Sequence, residues 1–346
     1  MPRKLPRGLA VVAMAALVTL AAPNAVHAGP APGNGSAVSG VAELSPEVAR
    51  TVTGAGAEAR QRALAEYWTP ARMRAARPES EIPAVRAARA ARQPAQGVTR
   101  PQGPAGAIAP AAPADEPRAA GPAGASPTLY YPNYPVGHPV ARTIGRVFFT
   151  LNGGNYTCVA TIVNTEGKSS VWTAAHCLTG GGAWATNWAF VPNYSSGSAP
   201  YGIWYATQLW ATNAFFNNNS DFANDVGSAV LGRVNGWRIC DYLGGQGIAW
   251  NYPIGQYVYA FGYDGAGRLV AENGPTYDGG GGTIYMVNSM TGTSSGGPWL
   301  INFDGSWGQI NGHSDFKYNT LPQYMFSPYY GNQVASLYNA VRNISS

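Results

Sequence analysis

Charge is scarce in this chain of 346 residues: 11% of positions are Asp, Glu, Lys or Arg, against 45% hydrophobic. The formal net charge of +5 points to a basic protein, but its distribution removes that reading. Residues 1–127 carry 14 Lys/Arg and 8 Asp/Glu, whereas residues 128–346 carry 8 and 9. The larger part is near neutral, which argues against nucleic acid as a partner, because phosphate binding needs clustered cations. The same balance argues against an anionic membrane surface. Only three cysteines and four histidines are present. No Cys/His spacing suits zinc and no acidic loop suits an EF-hand, so neither metal nor cofactor is expected. There is no 20–50-residue repeat and no Gly-rich phosphate loop. Past residue 22, no apolar run approaches the ~20 residues of a membrane-spanning helix.

The first 28 residues read as a secretory signal: Arg3, Lys4 and Arg7, then the apolar stretch Leu9 to Ala22, then Val26-His27-Ala28 as a cleavage site. Export permits disulfides. Ser45, Pro46 and Glu47 are helix-start signals, which predict a helix over about 45–68. Past Pro94, large apolar residues are few, and the stretch to 127 reads as a linker. Residues 29–127 together read as a prosegment whose arginines offer cleavage sites between about Arg100 and Tyr130. A plain spacer is the alternative.

From Leu129 the composition changes. Of 40 aromatic residues, only Tyr67 and Trp68 precede residue 128. Short runs such as Arg146–Thr150, Tyr257–Phe261 and Thr283–Val287 alternate with Gly, Asn and Asp turns. The pattern predicts an all-β barrel or sandwich. Val334, Leu337, Tyr338 and Val341 share one face at helical spacing, which predicts a helix near 332–343.

Three segments carry chemistry. Trp172-Thr173-Ala174-Ala175-His176-Cys177 places a histidine after a strand, between small residues. Asn224-Asp225 opens the apolar run Val226–Leu231, and a carboxylate entering a core needs a partner. Thr293-Ser294-Ser295-Gly296-Gly297-Pro298 puts a serine on a tight turn. Ser294 also fits the G-x-S-x-G elbow of α/β-hydrolases, but that fold needs a later Asp and His. Only His313 follows, 19 residues on, which leaves too little chain.

Taken together, the Thr-Ala-Ala-His-Cys and Ser-Gly-Gly-Pro motifs, in the order His, Asp, Ser, resemble the chymotrypsin/trypsin-like serine endopeptidases. Within them, the chain is most similar to the bacterial secreted branch that includes the glutamyl endopeptidases. The resemblance spans about 142–343. It implies two antiparallel six-stranded β-barrels, over 128–240 and 241–331, with a C-terminal helix and a cleft between the barrels. It implies Ser295 as nucleophile, His176 as general base and Asp225 as its orienting acid. Asp221 is a weaker candidate, since no apolar strand starts directly after it. The backbone N–H groups of Thr293 and Ser295 would form the oxyanion hole. Thr293 replaces the family's glycine, and a β-branched residue tolerates positive φ poorly. Ser294 replaces the Asp that receives a new N-terminus in trypsin-like zymogens, so that switch is not expected.

By the same resemblance, Ser289 lies at the base of the primary pocket. His313 falls where glutamyl endopeptidases place a histidine against a substrate carboxylate, and Ser314 would reach Asp225. This implies a preference for acidic residues before the cleaved bond. Relatives also bridge Cys158 with Cys177, which would leave Cys240 a free buried thiol; Cys240 paired with one of the others is the alternative. The expected protein is a secreted, extracellular monomer that acts on protein or peptide substrates, with no membrane contact once the signal is removed. A different class remains open: a catalytically inactive protease-like module binding carbohydrate or cell wall through exposed aromatics near Asn217–Asn219 and Tyr329-Tyr330.

Overall fold

The computed structural model describes residues 36–92, 94–113, 129–135 and 137–346. The secretory signal expected at 1–28 lies outside these residues, as does the stretch 114–128. Strands Ile144–Leu151, Gly154–Ile162, Ser170–Thr173, Thr186–Pro192, Trp204–Thr212 and Gly227–Leu231 close into an antiparallel barrel. Closure falls to Thr186–Pro192, which pairs with Ile144–Leu151 on one side and with Trp204 and Tyr205 on the other. The first hairpin turns on Asn152-Gly153, both at positive φ, as a tight two-residue β-turn requires.

Side chains alternate across each strand, and here both faces are covered. Val147, Phe149 and Leu151 fill the barrel with Cys158, Trp188, Phe190 and Leu231. Ile144 and Phe148 join a second cluster that holds Tyr67, Trp68 and Met73 of the N-terminal region. The Trp68 ring lies 5.6 Å from that of Phe148, and its Nε1 donates to the Asn187 carbonyl at 2.7 Å. Every residue of Ile144–Leu151 is therefore buried.

The C-terminal half splits its strands between two sheets that share one core of Val258, Ala260, Ile284, Met286, Trp299 and Met325. Gly247–Trp250, Tyr257–Tyr263, Leu269–Pro275, Pro298–Ile301 and Gln309–His313 lie in a six-stranded sheet. Tyr277–Gly280, Thr283–Val287 and Tyr324–Pro328 form a three-stranded one. One pairing, Gly247–Trp250 with Gln309–His313, is parallel. Helix Asn332–Val341 buries Val334, Leu337, Tyr338 and Val341, the face that their spacing indicates. Among the described residues no helix is long and apolar enough to cross a membrane.

The N-terminal region departs from its sequence reading in two ways. The helix expected over 45–68 is two, Pro46–Ala49 and Ala57–Tyr67, interrupted at Gly54 and Gly56, where glycine's conformational freedom disfavours the helix. The linker past Pro94 is partly structured. Gly106–Ile108 adds the sixth strand of the C-terminal sheet, antiparallel to Gly247–Trp250. Adding a strand uses backbone N–H and C=O groups, which small residues supply as well as large ones. A second added strand, Ala37–Val41, pairs with Trp204–Thr212 of the barrel.

Cys158 and Cys177 form a disulfide, and Cys240 is a free buried thiol. The bridge ties Gly154–Ile162 to the turn that carries His176. It spans 19 positions, and a loop of that order raises stability by about 3 kcal/mol on the chain-entropy model. The Cys158→Ala/Cys177→Ala protein is therefore expected to show a lower urea midpoint, with an m-value that does not fall, because its unfolded chain is less constrained. An unchanged midpoint would mean that the bridge contributes nothing.

Candidate active site

His176 stands on a one-turn 3₁₀ segment, Ala175–Cys177, that follows the strand Ser170–Thr173. Asp225 ends a similar turn, Phe222–Asn224, just before Gly227–Leu231. These two strands are hydrogen-bonded neighbours, with Thr173 opposite Gly227. The pairing carries the two side chains together: His176 Nδ1 lies 2.7 Å from Asp225 Oδ2, and the His176 N–H donates to Asp225 Oδ1 at 2.9 Å. Both residues are buried. Burial alone would raise the Asp225 carboxyl, but the charge and hydrogen bonds of His176 outweigh it and hold the group below its ordinary range. Asp221, the weaker candidate, only accepts from Asn224 Nδ2.

Ser295 comes from the other half. Its loop is pinned by Val159 N–H to the Ser295 carbonyl and by Gly296 N–H to the Ser314 carbonyl, both at 2.8 Å. Gly296 has φ +82, and a Cβ there would run into the Val159 carbonyl and Thr173 Oγ1. The motif's first glycine is thus required both by conformation and by the approach of the first barrel. Ser294 is fully buried and donates to the Tyr263 carbonyl.

The Gly292–Ser294 segment is a 3₁₀ turn. Thr293 is not among the residues with positive φ, and its Oγ1 donates to the Tyr263 carbonyl at 2.7 Å. The steric conflict expected of Thr293 is avoided by this conformation. The Ser295 N–H, expected in the oxyanion hole, instead donates to the Gly292 carbonyl at 3.4 Å.

The triad does not close in this arrangement. Ser295 Oγ donates to Glu79 Oε1 at 2.5 Å, and His176 Nε2 has no hydrogen-bond partner among the described residues. Glu79 belongs to the N-terminal region and is completely buried. No sequence signal marked it, because its role depends on a contact with a residue more than 200 positions away.

Asp315 was also missed. Its Oδ1 lies 3.4 Å from His176 Nδ1. Burial, and next the Asp225 charge, push its carboxyl well above the ordinary range, so it holds a proton more readily than its neighbour Asp225.

The residues assigned to the pocket occupy different surroundings. Ser289 donates through both N–H and Oγ to the buried carboxylate of Glu272. His313 is buried, with Nδ1 2.9 Å from the Tyr330 hydroxyl. Burial pushes its imidazole down to about 3, against the pull of Asp225. Ser314 Oγ, expected to reach Asp225, accepts from Trp299 Nε1 instead. Lys317 lines a cavity of about 260 Å³ together with Thr291, Gly292, Ser295 and Phe316. The suggested aromatic platform is absent at Tyr329 and Tyr330, which are 3% and 0% exposed.

A closed six-stranded barrel joined to a second β unit, with a buried His–Asp pair facing a serine on a Gly-Gly turn, defines the serine-protease class. Solved structures agree. The protease Anisep from Arthrobacter nicotinovorans is 35% identical with a TM-score of 0.57; the match covers 63% of this chain and 100% of that one. A thermostable serine protease, AL20, from an extremophilic microorganism is also 35% identical, with a TM-score of 0.56, over 60% and 100% of the two chains. A Glu endopeptidase, 14% identical with a TM-score of 0.52 over 62% and 97%, shares the fold. No protein-family model and no curated protein sequence matches. The chain belongs to the bacterial chymotrypsin-like serine endopeptidases, and it acts on peptide or protein substrates.

Proposed function

We propose that this protein is a secreted serine endopeptidase made as a precursor, with Ser295, His176 and Asp225 as its triad. The observation that carries this reading is the buried His176–Asp225 pair, whose Nε2 lies against the same Glu79 carboxylate that the Ser295 hydroxyl bonds. In the processed enzyme Ser295 Oγ attacks the scissile carbonyl while His176 Nε2 takes its proton. His176 then passes the proton to the leaving amine, and water repeats the sequence on the acyl-enzyme. Asp225 fixes the tautomer with Nδ1–H toward itself and stabilises the imidazolium. The N–H groups of Thr293 and Ser295 serve the oxyanion once the Ser295 N–H leaves the Gly292 carbonyl. A serine-directed phosphonate tests the assignment: it should add one label per processed chain, on Ser295. Labelling elsewhere, or none, would reject it.

The remaining parts of the reading belong to the same proposal. Residues 1–28 direct export, cleavage falls between about Arg100 and Tyr130, and the catalytic part acts outside the cell as a monomer, without nucleic acid or membrane as partner. Ser294, bonded to the Tyr263 carbonyl, makes activity independent of any particular new N-terminal residue.

For the acidic preference, we assign the counter-charge to Lys317 rather than His313. A neutral, buried imidazole offers no cation to a substrate carboxylate, whereas Lys317 lines the cavity beside Ser295. Its Nζ donates to the Asn288 carbonyl at 2.5 Å and to the Pro322 carbonyl at 2.8 Å, which hold the ammonium group in position. Lys317→Ala is expected to lower kcat/KM for peptides with Glu before the cleaved bond by about 10-fold or more, in line with a charge-assisted contact, and to leave neutral residues little changed. A library profile without enrichment of Glu or Asp would end the acidic reading and leave the peptidase assignment intact.

A further inference from the structure

Residues Arg77–Arg92 run through the cleft, held at both ends. At the start, Arg77 Nη2 donates to the Tyr156 hydroxyl at 2.9 Å, and Arg77–Pro78 pair with Tyr156–Thr157 of the barrel. At the end, the Arg92 guanidinium lies 3.7 Å from the centre of the Phe316 ring and 4.2 Å from that of Phe222, with Nε donating to the Tyr318 hydroxyl at 3.2 Å. Between them Ile82 and Val85 pack into the barrel's apolar cluster.

This double anchoring drives the 3₁₀ turn Glu79–Glu81 between the catalytic residues. Glu79 Oε1 accepts a hydrogen bond from the Ser295 hydroxyl at 2.5 Å, and Glu79 Oε2 lies 3.5 Å from His176 Nε2. Glu79 Oε2 and His176 Nε2 each lack another hydrogen-bond partner. Arg89, from the helix Pro83–Ala91, balances the buried carboxylate: Nη1 is 3.3 Å from Glu79 Oε1, and Nη2 donates to the Asp315 carbonyl at 2.6 Å and to Ser295 Oγ at 3.4 Å. A carboxylate removed from water needs such a partner.

We infer that the cleft contains a carboxylate-binding site between Ser295 and His176, and that its ligand is Glu79 on the segment Glu79–Arg92 of the protein's own N-terminal region, which holds the precursor latent. This rests on the proposed triad and adds the way in which it is held off. The side chain of Glu79 stands where the Ser–His hydrogen bond belongs. It cannot be turned over, because a carboxylate has no amine to expel and its charge opposes an attacking alkoxide. Inhibition therefore needs no cleavage-resistant peptide bond at the site. Because the contacts are non-covalent, the excised segment retains the ability to bind the processed enzyme.

The test compares phosphonate labelling of intact full-length precursors, their integrity checked by mass, with that of the processed enzyme. The wild-type precursor should label at least about 100-fold more slowly than the processed enzyme. Glu79→Ala should raise labelling of the intact precursor by about 10-fold or more, and Arg89→Ala should raise it by less. Independently of how these variants fold, a synthetic peptide covering residues 77–92 should inhibit the processed enzyme competitively. The Glu79→Ala peptide should be at least about 10-fold weaker, and so should the Glu79→Asp peptide, one methylene too short to touch both partners. Equal inhibition by all three peptides, or equal labelling of wild-type and Glu79→Ala precursors beside a reactive processed enzyme, would overturn the inference and leave the triad standing. A processed enzyme that neither labels nor hydrolyses peptides would instead remove the triad assignment.

Discussion

Ser295→Ala is expected to lower peptide hydrolysis by the processed enzyme by about 10⁴-fold or more, with the fold retained. The change deletes one oxygen, and the loop is held by backbone bonds that alanine keeps: Val159 N–H to the residue-295 carbonyl and Gly296 N–H to the Ser314 carbonyl. Thermal melting should therefore move little while kcat collapses. Ser294→Ala is the matching control. Its hydroxyl is buried against the Tyr263 carbonyl, away from the reacting bond, so most activity should survive. Because triad members act as a unit, adding His176→Ala to Ser295→Ala should cost little more. Full activity in Ser295→Ala would refute the assignment.

Asp225→Asn should lower kcat by a comparable amount, about 10⁴-fold, while Asp315→Asn should change it by less than about 10-fold. Both carboxyls lie within 3.5 Å of His176 Nδ1, yet they do different things. In the proposed triad Asp225 is the ionised acceptor of the Nδ1–H hydrogen bond; an amide there can present its NH₂ group instead and stabilise the wrong tautomer. Asp315, pushed up by burial and by Asp225, is the more easily neutralised of the two carboxyls, and an isosteric amide mimics its neutral form. Measuring kcat for both variants on one substrate separates the roles. Equal losses would mean that the two carboxyls share the orienting task.

The residues of the proposed triad stood out because each lies in a local pattern: a histidine after a β run, an aspartate opening an apolar strand, a serine before paired glycines. Strand positions were legible for a similar reason, since alternation and Asn-Gly turns are local. The predicted run Thr283–Val287 is a strand with those bounds, and the one foreseen at Arg146–Thr150 extends to Ile144–Leu151. The Cys158–Cys177 bridge implied by the resemblance is present, and the pocket asks more of a resemblance than the bridge does. The bridge depends on two neighbouring segments of one barrel, whereas the pocket depends on which way each side chain of a distant wall turns. His313 Nδ1 lies 2.9 Å from the hydroxyl of Tyr330, which comes just before the last helix.

What the sequence determined by itself is the protein's class: its compositional break near residue 128, its β architecture, and the identity of the three residues that resemble a triad. Each follows from propensity, periodicity or short motifs, which act over a few residues. What the tertiary structure alone decided is the state of that triad. Glu79 looks like any acidic residue beside a Pro in a polar segment, and Asp315 like any loop carboxylate. Glu79 acquires meaning only because strand pairing at Arg77 and a cation–aromatic contact at Arg92 fix both ends of its segment on the catalytic part. A buried charge must find its counter-charges in space, and the chain that supplies them is remote in sequence, so no local pattern could announce the contact.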